Sequence, residues 1–269
     1  MIDVFGAAAA PLLVVLAMVT AVSIGEHVAL RQGIDVRWKL WGIAATGLLA
    51  ARAGYVWQYH GAYLAAPWSV FDIRDGGWSA EAGFVVVWLL ALRTTTRHPS
   101  LKRAIRWATL SGTLLWVSGA IALTVGHPAV DGPRLPALTL ATTAGAPIDL
   151  RAFHGKPVVL NLWATWCPPC NREMPLLAQA QAAHPEVQFV FIDQGESATQ
   201  VSAWMTQRQL SMHNVLVDPT MRAGAALDQR AFPTTLFFNA EGRPVARRIG
   251  ELSLATLTER LALLVPSAR

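Results

Sequence analysis

Two cysteines in 269 residues, histidines without paired spacing and a charged fraction of only 14% narrow the function classes before any motif is read. A structural zinc site takes four ligands, mostly cysteine and histidine. With Cys167 and Cys170 as the whole thiol inventory, two histidines would have to complete it, and those at 27, 60, 98, 127, 154, 184 and 213 show no paired spacing. A zinc clip is therefore disfavoured. A purely structural disulfide fares no better, because a bridge across two intervening residues closes a tiny loop and restricts the unfolded chain little. Acidic and basic residues nearly balance, and the net charge of +5 sits mainly in loops between apolar runs. It carries no nucleic-acid signature.

Apolar residues are what the chain has in excess. They make up 53% of it, with a positive mean hydropathy, a poor fit to an all-soluble protein. The excess falls in residues 1 to 125, whereas 137 to 269 has the mixed composition and turn signals of a globular domain. The first apolar run, Val4 to Gly25, is 22 residues long, and a helix of about 20 residues crosses the hydrocarbon core. Only Asp3 is charged before it, so it lacks the basic start of a cleaved secretory signal and reads as an anchor. Three runs follow: Leu40 to Trp57, carrying Arg52; Gly77 to Leu92, with Glu81 near its start; and Trp107 to Val125. The expectation is an all-α transmembrane bundle of about four helices.

Orientation follows from the basic residues, which are retained on the cytoplasmic side. Arg31, Arg37 and Lys39 follow the first run, and Arg93, Arg97, Lys102, Arg103 and Arg106 follow the third. None precedes the first run, and Arg74 alone lies between the second and third. Both termini are therefore expected outside: a multi-pass protein of the bacterial inner membrane with its C-terminal domain in the periplasm. There, thiol chemistry needs a dedicated supply of reductant.

Residues 126 to 136, "GHPAVDGPRLP", read as a linker between a transmembrane domain (1–125) and a redox domain (137–269). A hairpin is expected around "LTLATTAGAPIDL", with Ala144-Gly145 at its turn, then a buried strand "PVVLNLWA" and a helix opening at the cysteines. Next come strand "VQFVFID", a helix over 198–209, strand "HNVLVD" and a short helix near 220–228. Strand "TTLFFN", a turn at "NAEGR", strand "PVARRI" and an amphipathic helix from Leu254 to Leu264 complete the chain. This is the element order of an α/β thioredoxin fold, with one helix and one strand inserted between its halves.

In "WATWCPPCNREMP" a buried strand runs into a helix whose N-terminus meets Cys167. Free amides and the positive end of the helix dipole stabilise a thiolate there, lowering its pKa below the free value of about 8.5. Cys167 is the expected nucleophile and Cys170, one turn further in, the resolving thiol. Pro168 and Pro169 suit the first helical turn but have no N–H to offer the sulfur. The depression should be moderate, which favours a reductant over a strong oxidant.

Together, "VVLNLWATWCPPCNREMP", "FIDQGES" and "AFPTTLFFNAEGR" closely resemble the TlpA/ResA-like membrane-tethered thioredoxins, across essentially all of 137–269. The resemblance implies a cis peptide before Pro233, in the segment that binds an extended substrate beside the disulfide. It places Trp166, Pro168, Phe232 and Thr234 at the substrate surface. It also puts Glu173, three residues after the second cysteine, near the active site; a first-turn acid complementing the helix dipole explains that residue equally well. Where cytosolic thioredoxins carry a buried aspartate, this chain has Asn161, which cannot accept a proton. Trp163 and Trp166 either flank the site or pack in the core.

Residues 51–83, "ARAGYVWQYHGAYLAAPWSVFDIRDGGWSAEAG", look like part of prolipoprotein diacylglyceryl transferase, but Glu81 stands at that family's histidine position and Ala82 at one of its glycines. The later family signature is missing, so the resemblance carries a degenerate, truncated scaffold and no catalysis. Arg52 as an intramembrane charge either pairs with Glu81 or Asp75 or marks a lipid-headgroup site.

The expected activity is a thiol–disulfide oxidoreductase, a protein-disulfide reductase acting on exported proteins such as apocytochrome c or copper-site assembly proteins. It needs no cofactor or metal beyond the dithiol. Its partners are those clients, the lipid bilayer and, since no third thiol can relay electrons, a membrane thiol transporter of the DsbD/CcdA kind; nucleic acid is not among them. The alternatives are an oxidase or isomerase of the same fold, and a lipid-binding or acyl-transferring membrane protein with a thioredoxin appendage.

Overall fold

The computed structural model describes residues 3–65, 67–72, 76–126 and 132–265. It divides into two compact units, Met1–His127 and Pro128–Arg269.

The first unit is helical. Helices α1 (Asp3–Leu30), α2 (Arg37–Gln58), α4 (Ala80–Arg97) and α5 (Lys102–Gly126) hold the four apolar runs, and a short α3 (His60–Ala65) and a 3-10 turn (Pro67–Phe71) lie between α2 and α4. α1 packs along α5 and α2 along α4. Small residues allow this: a Cβ on Gly112 would lie 2.9 Å from the Ala21 Cβ, and one on Gly47 would collide with Val87 Cγ2. Close backbone approach of this kind is how helices associate where water does not drive them together. Among the described residues, one helix is long and apolar enough by itself to cross a membrane, over Leu12–Leu30 with a mean hydropathy of 2.0.

The second unit is a seven-stranded sheet in the order β2-β1-β5-β4-β3-β6-β7. Its strands are β1 (Thr139–Thr142), β2 (Pro147–Asp149), β3 (Val158–Trp163), β4 (Gln188–Gln194), β5 (Val215–Asp218), β6 (Thr234–Phe238) and β7 (Pro244–Ile249). β3, β4 and β5 run parallel, and β6 and β7 complete one side antiparallel. The inserted β5 extends the sheet beyond β4, where β1 joins it antiparallel. The expected hairpin turn is present, with Gly145 at φ +86°, a conformation that costs glycine no steric clash.

Side chains of a strand alternate between faces, and the two cores follow that alternation. Val159 and Trp163 of β3, with Phe189 and Phe191 of β4, enter one core with helix α6 (Pro168–Ala183). Val158, Leu160, Leu162, Val190 and Ile192 enter the other. Asn161 lies between Val159 and Trp163, so it faces α6. Two helix ends differ from expectation. Helix α7 (Ala198–Gln207) stops short of residue 209, because Gln209 takes a left-handed φ of +53°. Helix α8 (Arg222–Ala226) is trimmed on both sides, where Met221 and Asp228 are left-handed too. Helix α9 (Leu254–Leu264) closes the unit.

Candidate active site

β3 delivers the chain to Ala164, a short turn follows, and Cys167 is the N-cap of α6. Proline fills the first two helical positions, so the Cys170 amide is the first N–H the helix can offer, and it donates to Cys167 Sγ at 3.3 Å. The cysteines are joined in a disulfide, with Cα atoms 5.3 Å apart. Cys167 is 3% exposed and Cys170 fully buried. Of the two, only Cys167 keeps any exposure to solvent.

The turn before the cysteines is held from three sides. Glu196 accepts from the Thr165 amide at 2.6 Å and from its hydroxyl at 2.5 Å, while Asn171 Nδ2 donates to the Thr165 carbonyl at 2.9 Å. Asp193, at the end of β4, accepts from the Glu196 amide. Burial pushes the Asp193 carboxyl up to about 8, with the neighbouring Glu196 carboxylate reinforcing the shift. Asp193 and Glu196 went unweighted in the sequence although "FIDQGES" contains both; their buried and clamping positions depend on the strand end and the loop after it.

Glu173 lies one helical turn beyond Cys170 and is 1% exposed. It accepts from Asn161 Nδ2 at 2.8 Å and from the Leu252 amide at 2.8 Å. Both bonds favour the anion, but desolvation outweighs them and raises its pKa to about 7. Asn161 also donates to Thr235 Oγ1 at 3.0 Å, so the residue in the aspartate's place holds the glutamate and relays no proton.

The two tryptophans part company. Trp163 is fully buried against Trp204, with ring centroids 5.0 Å apart, so it is core. Trp166 is 62% exposed and meets the edge of Phe232 at 6.2 Å. Phe232 itself packs against the core cluster that contains both cysteines. The Phe232–Pro233 peptide is cis and Pro233 is buried. Pro168 is exposed beside Trp166. Thr234 is different from expectation: its side chain is fully buried and its hydroxyl donates to the Ala231 carbonyl at 2.7 Å, so it offers a substrate no side-chain contact.

The Redoxin family model matches residues 130–259. The thiol-disulfide oxidoreductase ResA of Bacillus subtilis is 32% identical over 139 residues, covering 51% of this chain and 76% of that protein. This chain belongs to the ResA family of thiol-disulfide oxidoreductases. ResA of Halalkalibacterium halodurans is 30% identical over 139 residues, again 51% of this chain and 78% of its own length. A secreted Mycobacterium tuberculosis disulfide oxidoreductase of known structure is 31% identical, with 48% of this chain and 96% of that one covered at a TM-score of 0.44. The enzyme is a thiol–disulfide oxidoreductase with Cys167 and Cys170 as its cysteine pair, and the Redoxin match lies within its second unit.

In the first unit Arg52 is buried and donates to main-chain carbonyls: Nη1 to Gly77 at 2.9 Å, Nε to Val70 at 3.1 Å and Nη2 to Asp72 at 3.1 Å. Its guanidinium also lies 5.3 Å from the centre of the Tyr63 ring. The expected pairing with Glu81 is not formed, because that carboxylate accepts from the Ser79 hydroxyl at the start of α4 instead. Asp75, the other expected partner, falls outside the described residues.

Proposed function

We propose that this protein is a membrane-anchored reductase that faces the periplasm and reduces disulfides of exported proteins. In this reading residues 1–125 span the inner membrane several times, 126–136 link, and 137–269 carry the chemistry. The observation that carries the chemical part is the cysteine pair at the start of α6 with buried Glu173 one turn behind it. In the reduced enzyme the Cys167 thiolate attacks one client sulfur and expels the other as a thiolate. Cys170 then loses its proton to Glu173 and attacks Cys167 Sγ, releasing the second client thiolate and leaving the Cys167–Cys170 disulfide. Two electrons pass to the client, and protons from the cysteine pair and from water complete its thiols. A separate membrane dithiol of the DsbD/CcdA kind restores the pair. Trp166, Phe232 and Pro168 form the surface that receives the client, beside cis Pro233; apocytochrome c and copper-site assembly proteins are the clients this chemistry suits.

Support for the membrane half comes from side-chain exposure. Among the described residues, all large apolar side chains that stand exposed belong to the first unit except Trp166, Met221, Leu254 and Leu263. Water penalises such surfaces and lipid does not. The rival reading, a lipid-binding or acyl-transferring protein, rested on Arg52, whose donors are directed to carbonyls.

The test uses intact cells. After mild reduction, a membrane-impermeant maleimide should label Cys167, and a Cys170→Ser variant should trap exported clients as mixed disulfides. Labelling that appears only after lysis, or an Arg52→Ala variant that loses function while cysteine variants keep it, overturns the proposal.

A further inference from the structure

Between Glu81 and Asp131 the chain has no acidic residue, yet it carries Arg93, Arg97, Lys102, Arg103 and Arg106. The last three lie in the first five residues of α5. Helix dipoles disfavour cations at that end, and like charges four residues apart repel. Among the described residues no carboxylate lies within ion-pair distance of any of the three. Arg37, the first residue of α2, shows the contrast: its Nε meets Glu26 at 2.8 Å and its amide meets Asp35 at 3.0 Å.

The register of α5 cannot turn these cations away. Leu101, Ala104, Ile105 and Ala108 recur at intervals of three and four and are buried in the helical core. The opposite stripe, Arg103, Arg106, Trp107 and Leu110, follows the same spacing on the outer face. It lines a cleft of about 600 Å³ together with Lys102 and Ser100. Gln32, just beyond α1, reaches the same cleft. Trp107 and Leu110 are 53% and 48% exposed, so the cationic end leads directly into an apolar one.

We propose that this cleft binds an anionic phospholipid, its phosphate among Lys102, Arg103 and Arg106 and its acyl chain along Trp107 and Leu110. The inference rests on the membrane-spanning reading, which puts these residues on the cytoplasmic side, where anionic lipid is attracted by basic clusters. The headgroup supplies the negative charge that the chain omits between Glu81 and Asp131. The exposed tryptophan lies where the interface meets hydrocarbon, the depth that amphipathic aromatic rings favour.

The test uses the full chain in neutral detergent, with native mass spectrometry scoring adducts of phosphatidylglycerol against phosphatidylcholine of the same acyl chains. Each basic residue near a lipid surface contributes about fivefold in affinity, so wild type should prefer phosphatidylglycerol by about 100-fold. The combined Lys102→Gln, Arg103→Gln, Arg106→Gln variant should lose that preference. An equal loss of charge outside the cleft, Arg31→Gln, Arg93→Gln, Arg97→Gln, should keep it. Equal losses in the two triple variants, no preference in wild type, or displacement of the lipid by millimolar inorganic phosphate each overturn the proposal. Alkaline carbonate washing separates the premises: a chain stripped from membranes fails the spanning reading, whereas a retained chain without lipid preference fails only this one.

Discussion

The two units bury apolar residues by the same rules and finish with opposite surfaces. In the second, Trp163, Phe189, Phe191, Phe237 and Phe238 are fully enclosed, while in the first Trp38, Trp57, Trp68 and Leu114 stand at least 70% exposed. Glycine serves packing at some positions and turns at others. Gly25, Gly47 and Gly112 sit where helices touch and a Cβ would collide, whereas Gly145 and Gly250 take turns that other residues adopt at a cost. One unit is built to exclude water from its interior. The other is built for close helix contact, with an apolar exterior.

The sharpest way to break the comparison is to disable one unit and ask whether the other notices. Cys167→Ser should lower turnover of a disulfide substrate by more than about 1000-fold, since the attacking nucleophile is gone. Membrane retention of that variant should match wild type in a carbonate wash. Glu173→Gln comes next. The resolving step should rise with pH through about 7 in the parent and become flat and about 100-fold slower in the variant, as single-turnover kinetics would read.

Stability carries the opposite sign for the same group. Folding raises Glu173 from 4.5 to about 7, so the folded state holds a proton that the unfolded chain has already released. Its contribution is full below about pH 4.5 and is lost as pH rises through 7. At pH 8 the Gln variant should therefore be more stable than its parent, by up to about 3 kcal/mol, measured by denaturant unfolding of the second unit's transition.

A smaller effect tests the first unit. Gly112→Val puts side-chain atoms into the space beside Ala21 and should destabilise the helical unit by about 2 kcal/mol, seen as a lower melting midpoint in detergent. The rate of Cys167 alkylation should not change. Smallest of all, Arg37→Gln removes an exposed pair with Glu26 and should leave that midpoint within error.

Much of the catalytic unit was legible in advance because its signals are local. Near-continuous apolar runs, as expected of parallel strands covered on both faces, mark β3 and β4, a proline pair opens α6 at the cysteines, and glycine marks the β1–β2 turn. The position of Cys167 at a helix N-cap follows from "NLWATWCPPC" alone. The helical unit gave up its four long helices on the same footing, since a long apolar run favours a helix, but not their ends: α1 and α4 continue to Leu30 and Arg97, and α5 begins at Lys102. Left-handed residues such as Gln209 and Met221 escaped notice, because nothing in their side chains demands that conformation.

By itself the sequence determined where the cysteine pair meets a helix, where the long helices and the strands lie, and where charge is withheld from long apolar runs. Only the tertiary structure decided what Glu173, Glu196 and Arg52 do. Each owes its behaviour to groups far along the chain: the Leu252 amide and Asn161 for the first, Thr165 for the second, and the carbonyls from Val70 to Gly77 for the third. A carboxylate's proton affinity depends on how much water and how many donors surround it, and folding alone sets both.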